Sequence, residues 1–166
     1  MAKRSIRVQD LAAAGRRLYQ LGEGVERAAN ILTSEYAIAV IASVGAETPV
    51  DTGKARSNWR VSINHTLSGV IKPHSPYPSR WKAPYGSGGG KGETANLNAA
   101  INLAKTRLAQ YKGGTIVIAN NVPYINRLNA GHSNLSAPGW IEKAMASATR
   151  NIAPKVKDLF EKEMVK

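Results

Sequence analysis

The chain contains no cysteine, a single phenylalanine and three tryptophans. Disulfides and thiolate metal sites are therefore excluded. With six tyrosines making up most of the aromatic set, there is little material for a sandwich core of large side chains. The apolar fraction is 43%, much of it alanine, and that composition favours helix-rich packing. At 166 residues the chain fits one domain with a sizeable core.

Acid is scarce as well. Between Thr52 and Ile141 eleven Lys or Arg residues accompany one acid, Glu93, whereas the flanking segments hold the other twelve basic residues against ten acids. A divalent-metal site in that central block would be starved of ligands, and carboxylate pairs for acid–base chemistry have no place there. His65, His74 and His132 lie in separate turns without i,i+4 pairing, and read as solvated loop histidines. The glycine run ending in Gly90-Lys91-Gly92 fails the phosphate-loop order. Tyr85 stands where its first glycine belongs, Gly92 replaces the Ser or Thr, and prolines precede it. The expectation is a non-enzyme with no cofactor and no metal.

Long uncharged apolar runs are also missing. Leu11 to Ala14 is too short for an export signal and runs into Arg16-Arg17. The most apolar window, Ala28 to Ala46, contains Asn30, Ser34 and Glu35, so it reads as the buried face of a helix and not as a membrane span.

Periodicity supplies the elements. Apolar or small residues recur in steps of three and four from Val8 to Val44, which predicts one long helix, with a break at Gly22 and Gly24 as the alternative. If continuous, it is long enough for one end to project and pack on another subunit. Gly45 and Pro49 are expected to stop it, and Asp51 to cap a short turn over Thr52 to Ser57. Alternation of Trp59, Val61 and Ile63 against Arg60, Ser62 and Asn64 predicts a strand, paired as a hairpin with a weaker strand over Leu67 to Lys72. Pro73 to Gly92 reads as a flexible Pro/Gly-rich arm. Thr94 is placed as the cap of the next helix, whose stripe runs Leu97, Ile101, Ala104, Leu108 and Tyr111 before Gly113-Gly114. Thr115 to Ala119 follows as a buried strand. A last helix over 138–165 starts near Pro138, with Pro154 expected to kink or split it. The fold class is α+β: a small antiparallel or mixed sheet packed by helices.

Two features invite a partner. The basic central block suits nucleic acid or an acidic protein surface. Within the arm, Tyr77, Trp81 and Tyr85 alternate with Arg80, Lys82 and Lys91. Those residues could stack on bases and hold phosphates, or hook a protein partner, or belong to a disordered loop.

Two short motifs carry more. Pro49-Val50-Asp51-Thr52-Gly53, then Arg56 and Trp59, is answered downstream by Asn120, Pro123-Tyr124, Gly131, Ser133 and Ala137-Pro138. In this the chain resembles the tail-completion, or neck, proteins that join head to tail in long-tailed bacteriophages, the minor tail protein Z-like group. The resemblance covers roughly Thr48 to Ile141. It departs at Asn129-Ala130, where relatives often carry an acid before the glycine, and in the length of the arm. It implies a single tail-completion-like domain over 1–166 and a structural virion protein, assembled in the host cytoplasm and located in the virion neck. It further implies a homo-oligomeric ring of six or twelve copies around the DNA channel. The expected partners are the chain itself, head-connector and tail proteins, and DNA passing without sequence specificity, with no membrane. The competing class is a basic nucleic-acid-binding protein of packaging or regulation, although no helix-turn-helix, zinc or RNA-recognition signature accompanies the charge.

Overall fold

The structure is a computed structural model that describes residues 8–49, 53–74, 90–132 and 137–164, with side chains for 13–49, 53–74, 94–132 and 137–162. Helix α1 spans Val8–Glu47, α2 Lys54–Ser57, strand β1 Arg60–Ile63, α3 Gly90–Leu108, β2 Ile116–Ala119, α4 Ile125–Asn129 and α5 Trp140–Met164. The class is α+β, with a long N-terminal helix, a two-stranded antiparallel sheet and a C-terminal helix.

α1 is one unbroken helix of 40 residues, about 60 Å long at 1.5 Å per residue. Gly22 and Gly24 do not interrupt it. Its C-terminal half is the spine of the molecule. α5 runs back along it antiparallel, with Tyr36 Oη 3.2 Å from Thr149 Oγ1 and Lys155 Nζ 3.9 Å from Glu35. Val40 and Val44 of α1 join Ala55, Trp59, Ile125, Trp140, Ala144 and Ala148 in one core. On the other side of α1, Ala37 and Ile41 meet Val61 of β1 and Ala100, Ala104 and Leu108 of α3 in a second. Ile118 of β2 touches both. By length and composition α1 could also cross a bilayer, but about a third of its apolar window is already buried within the fold.

Several sequence expectations need correction. Gly45 does not stop α1. A Cβ there would sit 2.6 Å from Leu97 Cδ1, so the glycine lets α3 approach closely and the helix runs on to Glu47. The partner of β1 is not Leu67 to Lys72 but β2, in the register Arg60↔Ala119 to Ile63↔Ile116. Leu67 to Lys72 forms no strand because side chains bond its backbone: the Asn58 amide accepts from Ile71 N (2.9 Å) and donates to Ile71 O (3.0 Å). Arg60 Nη2 likewise donates to the carbonyls of Ser68 (3.0 Å) and Gly69 (2.6 Å).

β2 is half-buried along its length and not fully buried, since one face meets the helices and the sheet has only two strands. α3 starts at Gly90, so Thr94 lies one turn inside it and is no cap, and Gly90 to Gly92 belong to a helix. α5 starts at Trp140, two residues after Pro138, and passes through Pro154 without splitting.

Candidate functional site

The site is a junction at the C-terminal end of α1, where the last carbonyls of a helix lack intrahelical donors. Thr48 Oγ1 turns back to Val44 O at 2.5 Å. Arg56 adds a charged donor. Its Nη2 donates to Ala46 O at 3.0 Å and Thr48 O at 3.1 Å, setting a buried cation on the negative end of the helix dipole. The guanidinium arrives there because α2 is a single turn entered through Gly53. That residue has φ 78, a left-handed conformation that costs glycine little. The cap position of α2 is Gly53; the expected cap Asp51 lies outside the described residues, with Val50 and Thr52. Pro49, half-buried, directly follows Thr48.

Trp59 closes the junction from the β1 side. Its Nε1 donates to Thr48 Oγ1 at 2.7 Å, and its ring meets Trp140 edge-on, centroids 6.3 Å apart and planes at 89°. Both indoles are buried, and such an edge contact adds to the area term. The second motif is tied in by Asn120, whose Nδ2 donates to Ala55 O at 2.8 Å while its Oδ1 accepts from Val122 N at 3.2 Å.

Further along, Gly131 (φ 88) leaves no room for a side chain, because a Cβ would lie 2.6 Å from Pro138 Cγ. Asn129 caps α5: its Oδ1 accepts from Ile141 N at 2.9 Å and its Nδ2 donates to the Glu142 carboxylate at 3.0 and 3.1 Å. That amide bond, with a backbone hydrogen bond at Glu142 itself, holds the Glu142 pKa below the usual carboxylate range. An Asn at this helix entrance performs the capping that an acid could also perform.

Gly53, Arg56, Trp59, Asn120, Gly131 and Pro138 are thus brought into one structural unit. Pro123 and Tyr124 are exposed on the turn that leads into α4. The arm residues Tyr77, Arg80, Trp81, Lys82 and Tyr85 lie outside the described residues, as does the side chain of Lys91. What is described is the arm's anchorage. Ser57 Oγ accepts from His74 N at 3.1 Å and donates to Asn96 Oδ1 at 2.8 Å. One buried hydroxyl therefore ties the chain just before the arm to the helix just after it.

Sequence reasoning did not single out Thr48, Ser57, Asn58, Asn96 or Asn129 for these roles. Polar residues beside helix ends were the available signal for Thr48 and Asn129. For Asn96, in mid-helix, there was none.

Part of the basic block is engaged by the fold: Arg56 is buried, Arg60 is half-buried, and the exposed Arg107 donates to Val61 O at 3.2 Å. Lys54, Lys72, Lys105, Lys112 and Arg127 remain exposed. Among the described residues no group of three or more His, Asp or Glu could hold a metal. Scans against family models, curated proteins and solved structures each returned no match.

Proposed function

We propose that this chain is a structural virion protein of a tailed bacteriophage: a tail-completion, or neck, subunit forming a ring around the DNA channel at the head–tail junction. One observation carries the reading. The two motifs that resemble the neck family, some seventy residues apart in the chain, pack together over the end of α1. Residues quoted for the resemblance hold the positions whose chemistry the fold requires, from the left-handed Gly53 and the carbonyl clamp of Arg56 to the indole of Trp59 and the close approach at Gly131.

The role is assembly and geometry, without turnover. Net charge of +12 per copy makes a closed ring self-repelling unless acidic surfaces or DNA offset it. Exposed Lys54, Lys72, Lys105, Lys112 and Arg127 of the central block are among the described groups available for that contact. They suit an acidic neighbouring ring, the tail tube or passing DNA.

The test is electron microscopy of particles made with the gene silenced, with complementation by the wild-type protein as control. DNA-filled heads beside separate tails are expected. Normally joined particles would overturn the reading. The nucleic-acid-binding class would then be examined through the salt dependence of DNA affinity at a defined stoichiometry.

A further inference from the structure

Val61 and Ile63 pack into the second core, so Arg60 and Ser62 lie on the opposite face of the sheet. The chain turns back over that face at Asn64, whose φ of 59 is left-handed, and side chains clasp it as it returns. Ser62 Oγ donates to His65 O, and Asn121 Nδ2 to Leu67 O at 2.7 Å. Arg60 Nη2 donates to the carbonyls of Ser68 and Gly69, and the Asn58 amide takes both polar groups of the Ile71 backbone. Among the described residues no backbone-to-backbone hydrogen bond reaches residues 65–72. A ladder of side chains stands where a third strand would have had a ladder of peptides. Segments held in this way, with few buried apolar contacts, open at a lower cost than the core.

One clasp is a cation. Arg60 is half-buried, its acceptors are two neutral carbonyls on a single nitrogen, and its buried Nε has no partner. A guanidinium bonds phosphate through a two-point, charge-assisted fork that this arrangement leaves unused. Two more cations border the strap. The Asn58 amide donates to the carbonyls of both Lys54 (2.7 Å) and Ile71 (3.0 Å), so Lys54 and Lys72 emerge from adjoining stretches of backbone, both exposed. None of the three cations forms an ion pair among the described residues. A phosphate group, with more than one charge and several acceptor oxygens, suits three cations better than the single charge of a carboxylate.

We infer that residues 65–72 form a latch that opens while the rest of the fold stays closed, and that a phosphate-bearing anion holds it open by taking Arg60 together with Lys54 and Lys72. The anion gains its grip on Arg60 only in the open state. It therefore multiplies the open population by one plus its concentration over its Kd for that state. The latch rests on neither the neck-protein resemblance nor a ring.

The Ile71 amide, bonded to Asn58 Oδ1, reports the latch, while the buried helical residues Ile41 and Ala104 report the core. Hydrogen exchange of the full-length protein is followed residue by residue by NMR. Inorganic phosphate or a twelve-nucleotide oligothymidylate is then added, with sodium chloride holding ionic strength constant. Ile71 is expected to exchange about a hundredfold faster than Ile41 and Ala104, with little response to low urea. Added anion should speed it in proportion to concentration, about tenfold at ten times Kd, and leave the two core amides unchanged. In Arg60→Gln the Ile71 amide stays fast and the response to anion disappears. Equal acceleration by both probes at matched phosphate concentration assigns the site to free phosphate; acceleration by the oligonucleotide alone assigns it to a nucleic-acid backbone. Exchange of Ile71 in step with the core would overturn the latch. Exchange that neither anion speeds, a response retained in R60Q, or stronger acceleration by polyglutamate would overturn the phosphate site. Should R60Q exchange everywhere at once, it has unfolded, and the wild-type titration decides.

Discussion

The two halves of α1 share one spacing of apolar residues and have opposite surroundings. From Ala28 to Glu47 the helix is wedged between α3 and α5, with Ile41 and Val44 all but inaccessible and the carbonyls of Val44 and Ala46 held by Thr48 and Arg56. From Ala13 to Arg27 almost every residue is exposed, including Leu18 and Tyr19 at about 70%. The difference teaches that helical periodicity reports which face is apolar, while what covers that face is decided by where the neighbouring elements stop. α3 gives out at Leu108 and α5 at Met164, and α1 outruns both.

The sharpest way to break the comparison is at the locked end. Trp59→Ala removes the edge contact with Trp140 and the donor to Thr48, and is expected to cost about 3–5 kcal/mol in urea unfolding. A cost below about 1 kcal/mol would mean that the junction is not what fixes this half. Arg56→Ala leaves two carbonyls, the one at Thr48 buried, without their charged donor and should cost about 2–3 kcal/mol. Arg56→Lys should recover only part of that, because the lysine side chain is one bond shorter and its ammonium falls short of the Nη2 position that serves both oxygens.

Glycine sharpens the contrast within one helix. Gly45→Ala drives a Cβ against Leu97 and is expected to destabilise by about 1–2 kcal/mol, less any relief from rotation of that leucine. Gly22→Ala meets nothing and should stabilise the monomer by up to about 1 kcal/mol. Thermal unfolding at low protein concentration measures both, and equal signs would erase the distinction between the halves.

The smallest effect concerns the α5 entrance. The Glu142 pKa is depressed in the fold, so its contribution is present above the unfolded pKa and is lost as pH falls through the lowered value. Glu142→Gln should flatten the acid limb of the stability curve slightly below the ordinary carboxylate range, with no change at neutral pH beyond the lost bond to Asn129. A curve that keeps its acid limb in the variant would assign the dependence to other groups.

α1, α3, α5 and the strand around Val61 were legible because each carries a local period that survives folding. The pairing of β1 was not. Its partner, β2, lies more than fifty residues away, and the nearer candidate at Leu67 to Lys72 has enough apolar character to imitate a strand. Only the side-chain amide of Asn58, bonding Ile71 on both sides, shows why that segment stays out of the sheet. Helix boundaries failed for a similar reason. Gly45 reads as a stop in sequence, yet its missing side chain serves the approach of Leu97 from a distant element. The motif residues could be picked out from their types and spacing. Their convergence on the carbonyls of Ala46 and Thr48 could not, because it depends on three segments meeting at one helix end.

The hydroxyl of Ser57 has a consequence for how such a chain can change over generations. Because it binds His74 on one side and Asn96 on the other, two residues far apart in the chain are held at a single fixed point. Lengthening the segment between them adds loop-closure entropy that grows only with the logarithm of its length. A change in the number of residues between the two anchors is therefore cheap for the scaffold, whose fixed point lies at Ser57.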